Sequence, residues 1–214
     1  MKTTNRVSTE EWANSCNIST AASAPPIEDY HEPCHFSARQ IAVRAIILQG
    51  VVTAACHVDP EILIEWFQEQ GIWEDASPQE KAFLTNPTAF RADEWNGFRW
   101  RQEAEWTLLW MIGKVECLGL PTKQCDTRLL TEVIIPGLGT DIEPFLISAE
   151  LRSPGVLLAE DDRHYDLWRR YFQTLKKGER HLPHDLNVEV LYQRRYAFEW
   201  LDGVEAWDDV HCDA

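Results

Sequence analysis

Apolar residues along this chain recur mostly at helical spacing. Between Ser37 and Cys56, the residues Ile41, Ala45, Leu48, Val52 and Ala55 fall at i, i+4, i+7, i+11 and i+14, the period of a helix with one buried face. Val43, Ile47 and Val51 widen that face, so this helix is expected to be covered on two sides. A second helix opens with Asp59 as N-cap and Pro60 at the first helical position, buries Ile62, Leu63, Trp66 and Phe67, and stops at Gly71 in a left-handed cap. In Ser77-Pro78-Gln79-Glu80 the serine can accept from the Glu80 amide while the Glu80 carboxylate reaches back, a capping box. Phe83 and Leu84 anchor that third helix, and Asn86-Pro87 ends it.

The longest helix is predicted from Asp93 to Cys117. Trp100, Ala104, Leu108, Met111 and Val115 form one stripe, and Trp106, Leu109, Trp110 and Ile112 spread it around the cylinder, which places the helix at the centre of the domain. Residues 122–150 are ambiguous. Leu129, Leu130, Val133 and Ile134 fit a short helix broken by Pro136-Gly137, Val133-Ile134-Ile135 fits a strand as well, and Asp141 to Glu150 fits another helix. Ser153-Pro154 restarts a helix with Tyr165, Trp168, Phe172 and Leu175 on one stripe, Lys176 and Lys177 in the last turn and Gly178 after it. A final helix runs from Asn187 to Leu201, with Val190, Ala197 and Leu201 on one face and Gly203 beyond. Residues 1–35 sustain no period and are Ser/Ala/Pro-rich from Ser19 to Pro26, so a poorly ordered leader is expected, with Trp12 available to dock. The expected fold class is all-α, a multi-helix bundle-like domain over residues 36–214.

Charge narrows the functional classes. Asp and Glu number 35 against 20 Lys and Arg, a net charge of -15, in a chain of 214 residues. That balance opposes sequence-independent nucleic-acid binding and docking on anionic membranes, and it favours a partner with a basic surface. The 10 tryptophans suit large core anchors at helix crossings, or a recognition surface. The six cysteines are scattered without a C-x-x-C pair, and Met1 to Glu10 lacks an apolar run. Reduced thiols and a cytoplasmic location are the expectation. The apolar stretch Ile41 to Ala55 is too short to span a bilayer and contains Arg44 and Gln49.

Catalytic signatures are missing: there is no G-x-S-x-G, no glycine-rich phosphate loop, no dinucleotide fingerprint and no H-E-x-x-H. No catalytic residue, cofactor or metal is therefore assigned. The runs His31-Glu32-Pro33-Cys34-His35 and His181 with His184 contain zinc-type ligands, but Pro33 breaks any simple helical face. An ionic set remains. Arg101 and Glu105 are four apart and can pair along a helix surface. Arg101, Glu103, Arg152 and Arg194, with Asp208 and Asp209 in an aromatic-flanked tail, are the candidate ligand-binding residues. Either the arginines tie Glu103 and the acidic tail into the bundle, or they line a pocket for an anion.

Ordered blocks give the chain a resemblance. They are Ser37-Ala38-Arg39; Trp66, Gly71-Ile72-Trp73 and Ser77-Pro78-Gln79-Glu80 with Phe83-Leu84; Trp100-Arg101-Gln102-Glu103 into Leu108-Leu109-Trp110, Gly113 and Leu120-Pro121; Leu151-Arg152-Ser153 with Tyr165 and Trp168; and Arg194 to Leu201 with Trp207-Asp208-Asp209-Val210. In this order they resemble the domain of unknown function 4272 family over about residues 37 to 213. Met111 and Ile112 depart from the smaller residues expected there, and Gln193-Arg194 replaces the usual Glu-Arg. The resemblance implies an α-rich cytosolic domain of bacterial type and no established catalytic residues. Two functions are therefore expected to compete. One is a non-catalytic module that binds a basic protein, as an immunity-type inhibitor of a toxin does. The other is an enzyme or small-ligand sensor with an anion pocket among the core arginines.

Overall fold

Helix boundaries follow the capping residues. The computed structural model describes residues 4–16, 18, 35–178, 185–203 and 205–212, and among them nine α-helices and no strand. Helix α1 spans Thr4–Ser15. Helix α2 spans Ala38–Ala55, where the Ser37 hydroxyl accepts from the Gln40 amide and the Gln40 side chain accepts from that of Ser37. Helix α3 spans Pro60–Glu69, capped by Asp59 accepting from Glu61, with Gly71 at φ 70° just beyond. Helix α4 spans Pro78–Thr85 behind the anticipated Ser77–Glu80 capping box. Of the expected α3 stripe, Leu63, Trp66 and Phe67 are buried, whereas Ile62 faces solvent.

Helix α5 spans Ala92–Met111 and stops six residues short of the expected Cys117. Gly113 at φ 75° turns the chain there, and the amides of Glu150 and Arg152 bond to Ile112 and Met111 carbonyls instead of letting the helix propagate. The ambiguous region is helical: α6 (Thr127–Leu129) runs into a π turn at Leu130–Ile134, and α7 is Glu143–Ile147. Helix α8, Pro154–Lys176, is longer than α5, at 23 residues against 20. Helix α9 is Val188–Leu201, with Asn187 accepting from Glu189 and Val190, and a 3-10 turn at Trp207–Asp209 follows it.

The packing forms a chain of neighbours: α2 lies against α5, α5 against α9, α9 against α8, and α8 against α1. Helix α2 has the length and composition of a membrane span, yet most of it is buried in the main core with α5 and α9. A second apolar cluster joins Ala13 and Ile18 to Leu167, Trp168, Leu186 and Leu191. Part of the first 35 residues is thus a helix docked on α8, fastened by the Thr9 hydroxyl donating to the Asp162 carboxylate. Trp12 packs against the same cluster. Six of the 10 tryptophans are buried and none of them is fully exposed.

Candidate functional site

The arginines singled out in the sequence do not share one pocket. Arg194 on α9 and Glu103 on α5 are both buried, with Nε and Oε2 3.6 Å apart. That spacing is an ion pair without a direct hydrogen bond. Glu103 Oε1 accepts the Cys125 amide at 2.5 Å, and Arg194 Nη1 donates to the Gly119 carbonyl at 2.9 Å. Burial pushes the Glu103 carboxyl up, while the Cys125 amide and Arg194 pull it back. The Cys125 thiol is driven upward by burial and by Glu103, so it stays protonated and inert.

Arg152 serves the end of α5. Its Nε donates to the Trp110 carbonyl at 2.7 Å, and its Nη2 to those of Val115 at 2.8 Å and Glu116 at 3.2 Å. A guanidinium at these carbonyls satisfies orphan acceptors and complements the helix dipole. Arg101 does not pair with Glu105 as its spacing suggested. Its guanidinium lies 3.7 Å from the centre of the Tyr196 ring and donates to Gln193 Oε1 at 3.2 Å. Glu105 points the other way, into the interior, and is wholly buried with neither oxygen hydrogen-bonded among the described residues.

Asp208 and Asp209 belong to a different place. With Phe36, Arg39, Val43, Arg44, Asp75, Ser77, Trp200 and Trp207 they line a groove of about 580 Å³ where the starts of α2 and α4, the end of α9 and the tail meet. Trp200 and Trp207 are buried and form its floor, and Phe36 stacks on Trp200 at 4.1 Å. The tail is held there by bonds along its length. The Tyr196 hydroxyl donates to the Trp207 carbonyl, the Gln79 amide donates to Asp208 Oδ2 at 2.8 Å, and the Trp168 indole donates to the Cys212 carbonyl at 3.1 Å. Burial raises the Tyr196 hydroxyl to about 12, so it remains a donor.

The groove is acidic in balance. Arg39 is held by a two-pronged bond to Glu143 at 2.8 and 2.9 Å, and buried Arg44 by Glu80 at 2.5 Å. Asp75, Asp208 and Asp209 have no ion-pair partner among the described residues. Asp75 and Asp209 are exposed. Flat apolar rings below and unneutralised carboxylates above suit a cation with an apolar or planar body.

Sequence reading found Asp208 and Asp209 but missed Phe36, Asp75 and Trp200, which come from remote segments and share no spacing. The histidine–cysteine run at 31–34 and the pair His181 and His184 lie outside the described residues; His35 is exposed and abuts Gly203. Neither the curated proteins nor the solved structures contain a significant match to the chain. A family model described as "Domain of unknown function (DUF4272)" matches residues 6–210, nearly the whole chain, and the protein therefore belongs to that family.

Proposed function

We propose that the protein is a non-catalytic cytoplasmic module that binds a basic protein partner through the acidic, indole-floored groove. The observation behind this is the set of three unneutralised carboxylates around Trp200 and Trp207. The net charge of -15 adds long-range attraction that speeds encounter with a cationic surface. Immunity-type inhibition of a basic toxin is one role such a module serves. The alternative, an anion pocket for catalysis or sensing among Arg101, Glu103, Arg152 and Arg194, has less support. Arg152 and Arg194 direct donors at backbone carbonyls, and Glu103 faces Arg194.

The test uses a triple substitution, Asp75→Asn, Asp208→Asn and Asp209→Asn, which keeps an acceptor for the Gln79 amide. Basic proteins retained from native lysate at low salt are purified and titrated against both forms. The expected result is affinity that falls as salt rises and drops about tenfold or more in the triple variant. Equal binding by both forms overturns the role of the groove. Retention of no basic partner overturns the module itself.

A further inference from the structure

We infer that the groove takes an arginine side chain of the partner in preference to a lysine, an inference that rests on the basic-partner reading above. A guanidinium is planar, stacks on aromatic faces and spreads five donors in a fork that can bond more than one carboxylate at once. An ammonium is compact and strongly hydrated, and gains less from a flat apolar floor. Phe36, Trp200 and Trp207 give the cavity its aromatic lining, the two indoles through the narrow strip of ring that Phe36, Arg44 and Arg101 leave uncovered, and Asp75, Asp208 and Asp209 reach it from two separate chain segments. That spread matches a forked donor better than a point charge.

The same mode of recognition already operates in the groove wall, at Arg44, and beside the groove, at Arg101. The Arg44 guanidinium lies 4.9 Å from the centre of the Trp207 ring with the Glu80 carboxylate at 2.5 Å. Arg101 lies over Tyr196 and within 5.5 Å of Trp207, with Gln193 Oε1 as acceptor. Each is a guanidinium laid on a ring with a side-chain oxygen in reach. Among the described residues, no lysine lines the groove. A volume of about 580 Å³ holds one long side chain and the adjoining backbone. An anionic occupant is disfavoured locally. The amides of Gln40, Gln79 and Glu80 at the two helix starts already donate to Ser37, Asp208 and Ser77, and both lining arginines are paired.

The experiment is calorimetric titration of the full chain with two capped pentapeptides, Gly-Gly-Arg-Gly-Gly and Gly-Gly-Lys-Gly-Gly, in about 50 mM salt. It is repeated on the Asp75→Asn/Asp209→Asn variant, whose changes lie at exposed positions and are expected to leave the melting temperature unchanged. The arginine peptide is expected to bind about tenfold tighter than the lysine peptide, and to lose most of that affinity in the variant. N-acetyl-arginine amide is expected to compete more weakly than the peptide, which marks a chain-borne arginine as the ligand. Equal affinity for the two peptides overturns guanidinium selectivity and leaves the basic-partner reading standing. Binding of neither peptide, or binding that the variant does not alter, removes the groove as a cation site and with it the basis of both.

Discussion

At position 105 a carboxyl group is enclosed completely, with neither oxygen hydrogen-bonded among the described residues, and burial raises its pKa well above the ordinary carboxylate value. An ionised carboxylate without partners would be very costly there, so the group is a neutral acid in the folded chain. In the unfolded chain it ionises above its usual value, and stability is lost as pH rises from that value toward the folded one. Glu105→Gln is therefore expected to melt higher than the parent at pH 8, with the difference vanishing near pH 4. His164 acts in the opposite sense. It is buried, its Nδ1–H donates to the Glu160 carbonyl at 2.9 Å, and burial together with Arg194, Arg195 and Arg163 depresses it to about 3. The unfolded histidine gains a proton below about 6.5, so stability is present at neutral pH and is lost as pH falls toward 3. The loss by pH 4 is on the order of 3 kcal/mol. Denaturant melts of His164→Leu across pH 4–7 are expected to lack this slope, whatever the variant's stability at pH 7. Neither environment is legible in the sequence. Glu105 lies four residues after Arg101, the spacing of a surface pair, and only the packing of α5 against its neighbours turns it inward.

Among the elements, those with strong chemical punctuation were readable and those ended by tertiary contacts were not. Ser37, Asp59-Pro60 and Ser77-Pro78 place α2, α3 and α4 to within a residue or two, because a capping side chain satisfies amides that would otherwise be orphaned. The end of α5 escaped. Val115 continues its apolar stripe, but Gly113 turns the chain and the amides of Glu150 and Arg152 take the Ile112 and Met111 carbonyls. The π turn at Leu130–Ile134 likewise has no local signal, which is why a helix and a strand both fitted. The three backbone bonds made by Arg152, with its guanidinium 4.9 Å from the Trp110 ring centre, make it the clamp of that junction. Arg152→Ala is expected to lower stability by about 2–4 kcal/mol. Arg152→Lys is expected to recover little, since one ammonium cannot span the fork. Full rescue by lysine in thermal melts would show that charge alone suffices there.

For the whole molecule, the all-helical class followed from periodicity. Of the arginines expected to tie Glu103 and the acidic tail into the bundle, Arg194 faces Glu103 and Arg101 lies near the Trp207 ring, whereas Asp208 and Asp209 have no ion-pair partner among the described residues. The groove was not readable as a unit. Residues 36–44, 75–78, 200 and 206–209 meet only after α2, α5 and α9 have packed, and no spacing along the chain reports that meeting. What packing creates is a groove in which three carboxylates, Asp75, Asp208 and Asp209, meet the indoles of Trp200 and Trp207. Amide chemical-shift mapping during titration with the arginine pentapeptide probes this most directly. The account predicts saturable shifts concentrated at residues 36–44, 75–79 and 200–209 and suppressed by salt. Shifts centred instead on α1 and α8, or scattered without saturation over the acidic surface, would contradict it.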